Sequence, residues 1–109
     1  MAYFMGQISY TRDSIKAMAA TPQDRGAEAA RLLEGMGGKL HHFFFSFGEY
    51  DALFIGEFPD NATSAACSMA VSAAGTVSAY KTTPLLSMDE AMEAMKKAGA
   101  VSGYRPPAG

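Results

Sequence analysis

Two runs in the middle of the chain, residues 39–47 and 50–58, constrain the fold more than any other feature. Both read as β-strands, and both are apolar on either face. In the first run Phe43, Phe45 and Phe47 point one way, and Leu40 and Phe44 point the other; in the second, Leu53 and Ile55 oppose Ala52, Phe54 and Phe58. Gly48 and Glu49 separate the runs by the spacing of a tight β-hairpin. A sheet with one wet side would alternate apolar and polar residues along such strands. This hairpin does not alternate, so something must cover each of its faces.

The flanking segments supply one cover. Residues 3–10 read as a first strand, with Thr11 as the N-cap of a short helix through Ala20 that turns Ile15 and Met18 inward. Thr21, Pro22 and the acid Asp24 restart a helix in which Ala29, Leu32, Leu33 and Met36 follow the i, i+3, i+4, i+7 pattern, and Gly37-Gly38 stops it. After Pro59, Asp60 caps a third helix whose face of Ala62, Ala65, Ala66, Met69, Ala70 and Ala73 is small enough to lie close on a sheet. Its stripe of Asn61, Ser64, Ser68 and Ser72 carries no charge, which fits either packing on a neighbour or a solvated face of small polar residues. Residues 76–83 form a fourth strand stopped by Pro84, and Ser87 and Glu90 form a capping box for a last helix with Ala91, Met92 and Met95 inward. The order strand, helix, strand, strand, helix, strand, helix predicts an α+β, ferredoxin-like split βαβ sandwich. Its four-stranded antiparallel sheet has the order 4-1-3-2 with helices on one side, and residues 1–100 form the domain before a tail at 101–109.

Helices on one side leave the other side bare. The apolar side chains there would exceed what a soluble monomer exposes, which predicts a homodimer or higher homo-oligomer packed sheet to sheet. At roughly 1.5–3 kcal/mol per large side chain, three or four per subunit offset an association cost on the order of 10 kcal/mol. Composition agrees with one domain: 109 residues, 49% hydrophobic and 18% charged, which excludes disorder. A net charge of -2 gives no reason to seek nucleic acid or an anionic membrane. The charge-free window 61–80 is too polar to cross a membrane, and the start of the chain lacks the basic region of a signal peptide. The single Cys67 forms no internal disulfide, which points to a reducing cytoplasm, and its helix offers no cation to activate it.

Phe47-Gly48-Glu49-Tyr50-Asp51, the apolar strand after it, Pro59-Asp60, the Ala-rich helix and the strand ending Lys81-Thr82-Thr83-Pro84-Leu85-Leu86 together resemble the GYD-domain family. The name-giving Gly-Tyr-Asp signature matches Gly48, Tyr50 and Asp51, with Glu49 in the variable slot. The resemblance spans most of the chain. It implies a small prokaryotic, bacterial-type protein with a ferredoxin-like domain related in architecture to dimeric α/β barrels. It implies no established substrate or catalytic residue.

Candidate catalytic groups are Tyr50, Asp51, His41 and His42; candidate ligand-binding residues are Gly48, Glu49, Tyr50, Asp51, Tyr10 and Lys81. A carboxylate and a phenol at the mouth of a cavity suit proton transfer and the holding of a carbonyl oxygen. The structural alternative has Asp51 accepting from backbone amides near Thr11 or pairing with Arg12, and Gly48 supplying a positive backbone angle. His41 and His42, adjacent on a strand, should face opposite ways and so cannot share one metal ion, although either can act near neutral pH as a proton-transfer group beside Phe43 and Phe45. No metal or cofactor is expected: paired cysteines, a phosphate-cradling glycine loop and an RNA-binding aromatic signature are all lacking. Three readings follow. The first is a small-molecule-binding oligomer with its cavity between the sheet and a partner subunit. The second is a cofactor-independent isomerase or monooxygenase working through Tyr50, Asp51 or a histidine. The third is an interaction module without a pocket.

Overall fold

The computed structural model describes residues 1–108. Along the chain run β1 (Ala2–Tyr10), α1 (Arg12–Ala20), α2 (Arg25–Gly35), β2 (Lys39–Phe45), β3 (Ala52–Phe58), α3 (Asn61–Ala73), β4 (Val77–Leu85) and α4 (Met88–Gly99). The strands form one antiparallel sheet in the order β2-β3-β1-β4, which is the expected order read from the opposite edge. The architecture is α+β and compatible with the ferredoxin-like arrangement.

Register explains which side of the sheet is dry. Phe4 lies opposite Gly56, Gly6 opposite Phe54, and Ile8 opposite Ala52, so large and small residues alternate across the central pair. Phe4, Ile8, Leu33, Phe54, Phe58 and Cys67 make the buried core beneath α2 and α3. Gly6 is required there because the Phe54 ring occupies the space a β-carbon would fill. Each helix is capped locally. Thr11 accepts from Ser14 N, Asp24 from Ala27 N and Asp60 from Thr63 N, while Ser87 and Glu90 complete the capping box. Gly38 N donates to Leu33 O at 2.8 Å and closes the end of α2.

Several local expectations are corrected. The hairpin turn is not the pair Gly48-Glu49: β2 ends at Phe45 and β3 begins at Ala52, with the loop closed by Ser46 N donating to Asp51 O at 2.8 Å. Tyr50 and Asp51 therefore precede the strand and lie on neither of its faces. Asp24, not Thr21, caps α2, because its carboxylate reaches the orphan amide of Ala27. Ile15 is exposed rather than inward. Pro84 sits inside β4, opposite Phe4, a place tolerated because β4 is an edge strand.

The third helix is turned the other way round from the expected alanine face. Ser64 and Cys67 are buried and Val71 packs on the core, while Ala62, Ala65, Ala66, Met69, Ala70 and Ala73 are exposed. A stripe containing Cys67 and Val71 removes more apolar surface from water than alanines do, and Ser64 is small enough to accompany it. The last helix is also corrected: Ala91 is half-buried, but Met92 and Met95 face solvent and no residue of α4 is buried. Residues 101–108 are exposed and carry no regular structure.

Candidate functional site

One irregularity in β2 builds the open face of the sheet. Leu40 pairs with Gly56, yet His42 pairs with Ile55, so His41 is an extra residue inserted into the ladder. Such a bulge re-aims side chains. Leu40 stays on the helix side with Gly56. His41 meets Tyr3 and Glu57 on the open side, and His42 and Phe44 follow it there, opposite Ile55 and Leu53. The adjacent histidines thus share a face, contrary to simple strand alternation, and Phe43 and Phe45 lie on the other face, where Phe43 packs on the core.

His41 Nε2 lies 2.8 Å from Glu57 Oε2, and both side chains are largely shielded. A carboxylate only accepts, so Nε2 carries a hydrogen, and in the neutral tautomer Nδ1 is then the acceptor. The Tyr3 ring packs at 5.5 Å from the His41 ring, and His42 stacks on Phe44 at 6.0 Å. Tyr3 and Lys39 both stand opposite Glu57 in the register. Next to this polar corner Met5, Leu53 and Ile55 form a half-buried apolar floor. The arrangement is a fixed imidazole with a free acceptor at the edge of an apolar surface, which suits hydrogen bonding to, or proton removal from, a small apolar molecule.

A second concavity lies on the helix side, between α2 and α3. It has a volume of ≈ 270 Å³, with Ile8, Phe43, Val71 and Leu32 among its walls, and it shares Tyr10, Arg25 and Thr76 with a smaller neighbour of ≈ 150 Å³. Burial pushes the Tyr10 hydroxyl up from its ordinary range, and the Arg25 guanidinium opposes that shift.

The sequence candidates are scattered over these places. Asp51 is held by β1: its amide donates to Ile8 O and its Oδ2 accepts from Tyr10 N, each at 2.8 Å. Tyr50 is half-buried, and its carbonyl accepts from Ser46 Oγ at 2.7 Å. Gly48 has φ +150°, and Glu49 is exposed with its carbonyl accepting from Ser9 Oγ. Tyr10 lines the helix-side cleft, and Lys81 is exposed on β4 opposite Gln7. His41 and His42 are brought together on the open face, and Asp51 is joined to Tyr10 through the Tyr10 backbone N–H. Sequence reasoning missed Glu57 and Arg25; the one signal for Glu57 is that it is the sole acid within the apolar run 52–58. Among the described residues no group of three or more His, Cys, Asp or Glu could hold a metal ion, and no helix is long and apolar enough to cross a membrane.

A split βαβ sandwich with one bare sheet face and a hairpin loop pinned by Asp51 is the class of domain this geometry defines. The family model for the GYD domain matches residues 4–95, and the chain belongs to that family. A search of curated proteins finds no match to the chain.

Proposed function

We propose that the protein is an oligomeric small-molecule-binding domain whose site lies on the open sheet face, over the His41–Glu57 pair, with a second copy of the chain as its far wall. The 2.8 Å contact between Nε2 and the carboxylate carries this reading, because it fixes the imidazole in one orientation with its other nitrogen free. The apolar floor of Met5, Leu53 and Ile55 selects a small, largely apolar ligand, and the uncovered strands favour self-association on this side. The same pair supports a second reading, a cofactor-independent enzyme of the isomerase or monooxygenase type in which His41 moves the proton. Asp51 is a poor agent for that step, since its carboxylate already serves the backbone of β1.

Native mass spectrometry of the purified protein, wild type beside His41→Gln and Glu57→Gln, tests the binding reading. The expected result is a multimer carrying a small-molecule adduct that both variants lose while remaining assembled. Ring signals of His41 should also move on titration with small aromatic ketones and enols. A multimer with no adduct and unmoved ring signals would favour the interaction module instead, and a monomer at micromolar concentration would remove the second copy as a wall.

A further inference from the structure

The last helix is fully specified yet has no buried residue in its own chain, where Ala91 alone is half-buried. It has a capping box, Asp89 and Glu90 in the first turn, Lys96 and Lys97 in the last, and a Glu93–Lys97 pair at 3.2 Å. These devices are worth tenths of a kcal/mol to about 1.5 kcal/mol each, and an isolated helix of 12 residues is marginal in water even so. Its apolar stripe of Met88, Ala91, Met92 and Met95 follows i, i+3, i+4, i+7, and the three methionines are 71%, 51% and 65% exposed. The molecule is correspondingly long, 59 × 36 × 22 Å. Its radius of gyration is 17.6 Å, where a compact chain of about 100 residues has about 13 Å.

The same chain presents a second unpartnered apolar surface, the open face of the sheet, where Tyr3 is 37% and Phe44 58% exposed beside Met5, Leu53 and Ile55. We infer that these two surfaces cover each other between copies: α4 of one subunit lies across the open sheet of the other and roofs the His41–Glu57 site. This deepens the reading above, on which it rests, by naming the covering element as a helix rather than a second sheet. Dimensions agree. A helix of this length is about 18 Å long, and four strands span about 14 Å between their outer members, so one helix crosses the sheet once. Each copy offers one stripe and one floor, so a two-fold exchange satisfies both at once and leaves neither over. At roughly 200–250 Å² for a whole side chain, the five exposures quoted imply roughly 600 Å² per copy. Two copies then bring roughly 1,200 Å², where stable interfaces begin. The stripe carries no charge, and the floor of Tyr3, Met5, Phe44, Leu53 and Ile55 carries none, with Lys39, Glu57 and Lys81 at its margins on the same face; Asp89, Glu93, Lys96 and Lys97 stay off the stripe to face water. Methionine side chains adapt to irregular aromatic surfaces such as the one Tyr3 and Phe44 make.

The test uses the full chain. Met92→Glu with Met95→Glu places two good helix formers on a stripe that is solvent-exposed within the subunit, so the fold is kept and circular dichroism checks it. Light scattering should show the wild type as a dimer and the variant dissociating at roughly a hundredfold higher concentration. In a Cys67→Ser background, chains carrying Met92→Cys are mixed with chains carrying Phe44→Cys and oxidised; a disulfide between the two kinds of chain is expected. A dimer indifferent to the double substitution, with no mixed disulfide, overturns the α4 exchange and leaves a sheet-to-sheet dimer standing. A wild-type monomer overturns both.

Discussion

Asp51 fastens the loop between β2 and β3 to the end of β1, its Oδ2 accepting from the backbone N–H of Tyr10 at 2.8 Å while its own N–H donates to Ile8 O. The acid of the Gly-Tyr-Asp signature therefore acts on a neighbouring strand's backbone. Asp51→Ala is expected to cost about 1.5–3 kcal/mol in urea denaturation, the range of a hydrogen bond to a charged group, and Asp51→Asn less, because the amide oxygen still accepts. Equal losses from the two would refute this account.

Gly6→Ala probes the close approach of β1 to the Phe54 ring. The ring is buried and cannot swing away, so overpacking of about 1–3 kcal/mol is expected in the same assay. Gly48→Ala meets no atom within 4 Å, but its φ of +150° is one that side chains rarely adopt; backbone strain alone should cost about 1–3 kcal/mol. A neutral result at Gly6 would mean that the core is looser than its geometry.

The N-cap of α3 makes the protein acid-sensitive at a defined place. Hydrogen bonds from the Thr63 hydroxyl and amide hold the Asp60 carboxyl below its ordinary range. A carboxyl depressed in the folded state contributes its stability above the unfolded pKa and loses it as pH falls through the lower folded value. Stability should therefore decline between about pH 5 and pH 2, and Asp60→Asn, which keeps an accepting oxygen, should flatten part of that decline. Glu90, depressed by its bonds to Ser87, adds to the same limb. Denaturation midpoints measured across this range decide it; an unchanged slope in Asp60→Asn would count against the cap.

Cys67 lies in the core with its sulfur 4.0 Å from the Tyr80 hydroxyl, and burial pushes the thiol up. Labelling by a disulfide reagent at pH 8 should be at least about a hundredfold slower than in denaturant and should follow unfolding. Rapid labelling of the native protein would place α3 off the sheet.

The strand order was legible because hydrophobic period, caps and the glycine pair at 37–38 punctuate the chain clearly. Much of the rest depended on competition that a sequence does not display. Ala65 and Cys67 are both small and apolar, so only packing could decide which side of α3 the sheet would take. The bulge at His41 has no glycine or proline to announce it, yet it decides that both histidines share a face. Glu57 is a single acid within an apolar strand, and only the register sets it beside His41. For α4 the pattern specified a helix and a stripe correctly, while of that stripe only Ala91 is half-buried in its own chain and the methionines are exposed.

Pro84 has a consequence for how copies can gather. β4 is one border of the sheet, and a ring in place of an amide hydrogen spoils that border as a template for adding another strand alongside it. Growth into open-ended ribbons is thereby discouraged along β4.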